Sequence, residues 1–516
     1  MRVFLARVFI LSICILAVSA KPARGQSPTL TSVPPFVRIT GSFSPADGKP
    51  PAPVETMTLS VYGEATGGVP LWQETQKVAV NPDGRFTLLL GLTRPEGLPP
   101  ELFASGGPRW LAIHVERPGE GEPGRVLLPV ATKQDLSWTK GDFKIEVFGA
   151  VRLDVYYDSA RTQGPGMPAF LVPKIPGGFR ESTIALNARN SMIGFLFTGP
   201  DIGKFHSGGK ISAVFVDNTN VFADRNGFML TQSYGELFND QWRFAAGLQL
   251  DVFAPNLPMV LPFTADGTPI GNTIKGQIRV ERFLKLGSDS QLTLQGALSE
   301  PLNSANTPDV QLDEDNGWPN VEGRMAFGLG KPSRLGLLTQ RPVEIGFSGV
   351  VGQLRRTSVE PPRRVVSDTW GVTLDFRVNL AERFGFKGEA YTGQGLGQMG
   401  GGVVQTLDAV TWEAIRSSGG WVEGYVYLTP DLHNHTGIFV DDPNNNDITG
   451  LPDTLFGRTY NRVFFNTLLW DVGGATKKFR IGVELALRRT EYKDPTATGR
   501  LPNEGFGIHP QFQWLF

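Results

Sequence analysis

Residues 504–516 read EGFGIHPQFQWLF, and this stretch decides the fold. Successive side chains of an extended strand point to opposite faces. Phe506, Ile508, Pro510, Phe512, Trp514 and Phe516 therefore share one face, and Gly507, His509, Gln511 and Gln513 share the other. A half-buried strand of a soluble sandwich alternates in the same way, so the apolar face has two possible neighbours, a protein core or lipid. The aromatic ending favours lipid, because Phe and Trp gather where a barrel strand meets the membrane interface.

The same alternation recurs upstream. Between Phe143 and Tyr157, Phe143, Ile145, Val147, Val151, Leu153 and Val155 alternate with Lys144, Glu146, Arg152 and Asp154. Strands are expected near 142–157, 182–198, 208–216, 228–237, 241–252, 273–285, 290–299, 318–329, 343–355, 366–380, 383–393, 418–428, 432–441, 459–470, 477–489 and 504–516, which makes sixteen. Their connections alternate in length. Residues 158–181, 253–272, 300–317, 394–417, 442–458 and 490–503 are long, whereas 199–207, 238–240, 286–289, 381–382, 429–431 and 471–476 are short. Two fit less well: 217–227 is only medium and 330–342 is a longish turn. Short turns at one end and long loops at the other are the habit of outer-membrane barrels. A soluble all-β protein has no reason to maintain it. The expected fold is all-β: an antiparallel transmembrane β-barrel of about 16 strands over 142–516.

The other end of the chain points to export. Arg2 and Arg7 precede the apolar run from Val8 to Val18, and Val18-Ser19-Ala20 closes with small residues. This pattern is a signal peptide over 1–20, since about a dozen apolar residues are too few to span a bilayer as a helix. The one cysteine, Cys14, lies inside that run. Cleavage leaves no cysteine, which excludes disulfides, thiol catalysis and thiolate metal sites from the mature chain. Residues 27–135 read as a small β-sandwich-like domain. Its candidate strands are Phe36–Phe43, Met57–Glu64, Leu71–Val80, Arg85–Leu92, Trp110–Glu116 and Arg125–Val130, with Pro/Gly turns such as Asn81-Pro82-Asp83-Gly84 between them. A polar connector, Lys133 to Asp142, follows. The 49 Lys+Arg nearly balance the 50 Asp+Glu, so nothing marks the chain as a nucleic-acid binder.

Placing the apolar face towards lipid makes the other face the lining of a lumen. A charge facing the bilayer midplane costs about 2–4 kcal/mol, so segregating charge to one face supports that placement. The pore-lining candidates are Arg189, Arg243, Lys275, Arg279, Arg324, Arg377, Lys387, Arg480 and Arg488 with Glu281, Asp375 and Glu423. Gln249, Asp251, Glu322, Glu389 and Glu484 fall inside by the same rule. Any one arginine is either a wall residue paired with a nearby carboxylate, as the spacing of Arg279 and Glu281 suggests, or a contact for solute. The expected lumen is polar, water-filled and of mixed sign.

Residues 142–516 resemble the DcaP-like and related sixteen-stranded porins. The resemblance is carried by Phe148-Gly149-Ala150-Val151-Arg152-Leu153-Asp154, by Ala246-Gly247-Leu248-Gln249 with Asp251-Val252-Phe253, by Gln277-Ile278-Arg279, and by the glycine-rich stretch from Gly393 to Gly402. It implies a homotrimer in the outer membrane that passes small hydrophilic solutes, with small organic anions favoured and Arg279 facing them. Phe512, Trp514 and Phe516 resemble the assembly signal read by the barrel-assembly machinery. In general porins the third external loop folds inward as a constriction, which here points to Ala254 through Asn272. The Gly393–Gly402 stretch is either a second such element or a flexible surface loop. It lacks the Lys-Ser/Thr of a phosphate-binding loop. An even strand count puts both barrel ends on the periplasmic side, and with them the N-terminal domain.

Rival readings fare worse. A barrel esterase needs a histidine on the lipid face near a serine. Of His114, His206, His433, His435 and His509, the last points into the lumen and His433 and His435 lie at a periplasmic turn. His435 near Asp441 and Asp442 lacks a completed ligand set, so no enzyme activity, cofactor or metal is expected. An energised receptor needs about 22 strands and a plug. A barrel with a structural or binding role, or a gated specific channel, stays open as the alternative to an open pore.

Overall fold

The computed structural model describes residues 37–516 apart from 65, 94–96, 100–101, 103–108, 120–124, 129–135, 165, 167, 175–181, 218–225, 263–266, 272, 302–316, 332, 336–337, 360, 382, 452–454, 473–478 and 495–499. The export signal expected over 1–20 lies outside the described residues. The chain divides into two compact units, Met1–Gln134 and Asp135–Phe516.

In the first unit, β1 (Val37–Ser42) pairs antiparallel with β4 (Arg85–Leu90). A second sheet has the order β3-β2-β5-β6, formed by β2 (Val54–Tyr62), β3 (Trp72–Ala79), β5 (Arg109–Val115) and β6 (Val126–Leu128). The alternation that marks these strands sends one face of each inward. Met57, Leu59 and Val61 of β2, Phe86, Leu88 and Leu90 of β4, and Leu111 and Val115 of β5 meet in one buried cluster. Buried Glu74 of β3 accepts hydrogen bonds from Thr93 Oγ1 at 2.6 Å and Thr93 N at 3.1 Å, bracing the segment that follows β4.

The second unit is a closed antiparallel barrel of sixteen strands. Its strands are β8 (Phe143–Asp158), the interrupted pair β9 (Thr183–Asn187) and β10 (Met192–Thr198), β11 (His206–Val216), β12 (Asn226–Phe238), β13 (Trp242–Leu250), β14 (Ile274–Lys285), β15 (Ser290–Ser299) and β16 (Asn320–Leu329). They continue after the small hairpin β17 (Ser333–Leu335) and β18 (Leu338–Gln340). These are β19 (Val343–Val359), β20 (Pro362–Ala381), β21 (Phe384–Gln394), β22 (Arg416–Tyr427), β23 (Leu432–Pro443), β24 (Arg458–Val472), β25 (Phe479–Lys493) and β26 (Arg500–Leu515). Each barrel strand pairs with the next, and β26 returns to β8, so the ring has no free edge. Outward residues such as Leu153, Ile278, Phe347, Leu374, Trp470, Phe512 and Trp514 are exposed apolar groups on the outer face.

Three features depart from the sequence expectation. The polar connector contains a strand, β7 (Leu136–Lys140), which folds back on β8 with Leu136 opposite Val147. It continues the ladder where β26 stops, just past the reciprocal backbone bonds between Phe516 and Gly149, both 3.1 Å. The second strand is broken at 188–191, where Phe215 N bonds to Arg189 O at 3.0 Å. The connection expected over 356–365 is instead ladder: β19 and β20 stay paired up to Val359 opposite Pro362. Neighbours accompany this hairpin only as far as Val351 and Trp370. Above that level it is a two-stranded ribbon.

Candidate functional site

After β13 the chain enters the barrel. Residues 251–262 read DVFAPNLPMVLP. Three prolines in twelve residues hold the backbone extended and remove three amide donors. The remaining donors each need an acceptor away from bulk water, and carboxylates on the inner wall serve four of them. Val252 N bonds to Glu322 of β16 at 2.9 Å, and Asn256 N to Glu389 of β21 at 2.8 Å. Met259 N bonds to Glu423 of β22 at 2.5 Å, and Leu261 N to Glu484 of β25 at 2.7 Å. The carbonyls are met in turn. Ser348 and Thr373 hydroxyls donate to Phe253 O, Lys387 Nζ to Leu257 O at 2.9 Å, and Arg152 to Leu261 O. The segment is thus a strap laid along the inner wall from β16 round to β8.

Under the strap the inner face is not uniformly polar, which corrects a simple in-and-out rule. Val350 of β19 packs with Phe253 and Ala254, and Val260 lies against Trp421, Phe439, Val463 and Phe465. Apolar strap residues need apolar wall, so the period-2 pattern fails where the lumen is filled by protein. The inner faces of β11 to β15, with Tyr234, Arg243, Arg279 and Gln295, stand on the other side of the barrel from it.

The sequence-selected residues fall as follows. Arg243 contacts Glu236 at 2.5 Å and Glu281 at 3.3 Å, and Arg279 contacts the same Glu281 at 2.5 Å. Arg324 holds Asp375 at 2.7 Å and Glu344 at 3.1 Å, and Arg377 reaches Glu344 at 3.5 Å. Lys387 lies 3.5 Å from Glu423, Arg480 2.5 Å from Asp471, Arg488 3.1 Å from Asp158, and Lys275 3.8 Å from Glu322. All eight of these cations lie beside a carboxylate. Arg189 is different: it sits buried in the break between β9 and β10 rather than on a strand face. Arg324 and Asp375 meet across the intervening strand because Gly346 of β19 carries no side chain. A Cβ there would strike both groups.

The long loops close over this end of the strap. The Gly393–Gly402 stretch does not lie free on the surface. Leu396 and Met399 are buried against Phe253 and Ile270, and Gly400 takes a left-handed φ of 91° where its backbone abuts Ile270. Val403 packs on Ala169 and Phe170 of the first loop, while Tyr492 Oη donates to Leu171 O at 2.7 Å. Asp408 ties this loop to the next one, accepting from Thr449 N at 2.7 Å and Thr411 N at 2.8 Å. Burial alone would raise the Asp408 carboxyl, but these hydrogen bonds outweigh it and hold the group below its ordinary value. The Arg416 guanidinium, 2.7 Å from Asp447, lowers that carboxyl too.

His433, His435 and His509 are buried wall residues. His433 and His435 of β23 touch at 2.8 Å, and His435 bonds to Glu423 at 2.6 Å. His509 lies between Glu484 and Asp158, at 3.1 and 3.2 Å. Asp441 is engaged by Tyr391 Oη at 2.6 Å and by Val403 N. Among the described residues no group of three or more His, Cys, Asp or Glu is placed to hold a metal ion.

What sequence reading missed is the part played by Glu322, Glu389 and Glu484. Each reads as one more inward carboxylate. The one available signal was their company: a proline-spaced segment with few side-chain acceptors of its own has to borrow them.

Comparison with known proteins gives the following. Residues 38–130 match a family described as a domain of unknown function (DUF8740). No curated protein matches the chain in sequence. Among solved structures, the outer membrane channel DcaP of Acinetobacter baumannii is similar at 16% identity and a TM-score of 0.52, covering 73% of this chain and 99% of that one. OmpT, an outer membrane protein of Vibrio cholerae, aligns at 10% identity and a TM-score of 0.43 over 74% of this chain and 100% of that one. Pseudomonas putida OprB aligns at 10% identity and a TM-score of 0.40 over 72% and 94%. At these identities the likeness to DcaP is one of fold.

Proposed function

We propose that this chain is an outer-membrane channel through which small hydrophilic solutes diffuse, narrowed by the strap at residues 251–262. The observation that carries this reading is the combination of a closed barrel with an apolar outer face and a lumen whose inner wall is a row of hydrogen-bonded charges and hydroxyls. The solute path runs between the strap and the inner faces of β11–β15, past Arg243, Arg279, Glu236 and Glu281. Small organic anions are the favoured class, a preference that rests on the resemblance to DcaP-like porins and on Arg279 standing on that wall. No chemistry is assigned to the site: the chain acts as a conduit, not an enzyme. The 1–20 segment directs export, both barrel ends face the periplasm, and the N-terminal β-domain lies there. Phe512, Trp514 and Phe516 are the residues engaged during membrane assembly, and the working unit is a homotrimer.

One observation favours a gated, specific channel over a resting open pore. The first, third and sixth loops pack on one another at the mouth, through Phe170, Ile270, Met399 and Val403. Purified protein inserted into a planar lipid bilayer separates the readings. Stepwise conductance in groups of three establishes the trimeric pore. A reversal potential towards the anion value in asymmetric KCl establishes its preference. Silent bilayers from folded, β-rich protein reject the open pore in favour of the gated one.

A further inference from the structure

On the outer surface of the barrel, at the end where the long loops emerge, a hollow of about 450 Å³ opens between β20, β21, β22 and β23. Its floor is the cross-strand row Thr392, Ser418 and Asp442, in which the two hydroxyls bond at 2.8 Å. Trp370, 40% exposed, forms one wall, and Asn445 and Asn446 form the facing lip. Arg416 also lines it, but its guanidinium is committed to Asp447 by bonds of 2.8 and 2.7 Å. With Asp442 adding a further carboxylate, the lining does not recruit a phosphate. A planar aromatic, hydroxyls and carboxamides instead suit the apolar face and hydroxyl rim of a sugar ring.

The height of the hollow adds an independent constraint. Directly below it the outward residues turn apolar, with Leu374 on β20, Val422 on β22 and Ile438 on β23 all exposed. Between them, Ala390 faces Gly420 across the β21–β22 ladder. Small side chains there leave the wall low directly beneath the hollow, down to Val422 and the Phe386 ring that lies over Gly424. A ligand seated at the polar-to-apolar boundary, with a groove for a chain beneath it, is amphiphilic.

We propose that this hollow binds the sugar headgroup of an outer-leaflet glycolipid, one acyl chain entering the low wall at Ala390 and Gly420. The assignment to the outer leaflet rests on the reading of the long-loop end as external. The test is native mass spectrometry of the full chain released from detergent with rough lipopolysaccharide, its deacylated oligosaccharide, or phosphatidylglycerol added. Lipopolysaccharide adducts should persist, and Trp370→Ala with Asn446→Ala should lower the bound fraction about tenfold, the loss of an aromatic contact and a hydrogen bond together. Trp370→Phe should retain most binding, and Leu298→Ala, outward on β15, should leave it unchanged. Oligosaccharide binding as tightly as the intact glycolipid overturns the lipid assignment, and so does equal retention of phosphatidylglycerol. Loss of adducts in Leu298→Ala, or cross-linking of Ser418→Cys to a second copy in place of lipid, overturns the site. Conductance of the same variants is read separately. Trp370 lies outside the lumen, so binding lost with conductance intact bears on this site alone, and silent bilayers with binding intact bear on the channel alone.

Discussion

At the scale of single residues, the inner wall is a set of mutual obligations. Arg324 illustrates the cost of breaking one. Asp375 is buried and accepts two of its N–H groups. In Arg324→Ala it is left as a buried charge with its main partner gone, so the folded barrel should lose about 3–5 kcal/mol. Urea unfolding of the refolded barrel followed by Trp fluorescence measures this, and a loss under about 1 kcal/mol would show that water reaches Asp375 freely. Arg279 has a different part. Its partner Glu281 keeps Arg243 when Arg279 is removed, so Arg279→Ala leaves a more negative patch without an isolated buried charge. The reversal potential in asymmetric KCl should then move towards cations. An unchanged potential would place Arg279 off the solute path.

At the scale of elements, the sixth loop is held by a carboxylate, and acid should release it. Asp408 is lowered in the folded state from an ordinary value of 3.8. Its contribution to loop order is therefore complete above that value and is lost as pH falls through the lower folded one. Protease nicking of residues 405–417 should stay slow at neutral pH and accelerate only below about pH 4. Asp408→Asn should show the fast rate at neutral pH, because it removes the charge that Thr449 and Thr411 bind. Equal rates in both proteins would assign the loop's order to packing alone. The strands themselves were legible because lipid on one face and water on the other enforce a period of two. The ribbon of β19 and β20 was not: Arg355, Arg356, Arg363 and Arg364 interrupt the apolar alternation above the membrane, where no lipid enforces it. β7 was hidden because it is short: Leu136 and Trp138 alternate with Ser137 and Thr139 over only five residues. The inward turn of the third loop was expected only by likeness to general porins, while its anchoring by Glu322, Glu389, Glu423 and Glu484 depends on contacts across up to 223 residues of sequence, beyond the reach of any local pattern.

At the scale of the whole barrel, closure depends on one seam. Phe516 exchanges backbone bonds with Gly149, its ring occupies the space a Cβ at Gly149 would take, and Trp514 lies 5.6 Å from it. Phe516→Ala should weaken the seam by about 0.5–1.5 kcal/mol for the lost aromatic pair and lower the fraction of heat-modifiable barrel recovered from membranes. Recovery equal to wild type would shift the weight of closure to β7.

The ribbon has a practical consequence. From Gly352 to Val359 its strand pairing is to the other arm of the hairpin alone, a length of roughly 25 Å at the usual rise of a strand. Arg363 steadies it from the side, donating to Val410 O at 2.9 Å and stacking over Trp412 at 4.4 Å. The base of the ribbon is packed, with Leu354 buried beside Phe253 and Leu396, and its tip forms a stiff mast whose shape vanishes on denaturation. An antibody fragment selected against this mast should stain intact, unpermeabilised cells and fail on boiled protein, so that one immunolabelling experiment reports which way up the barrel is inserted.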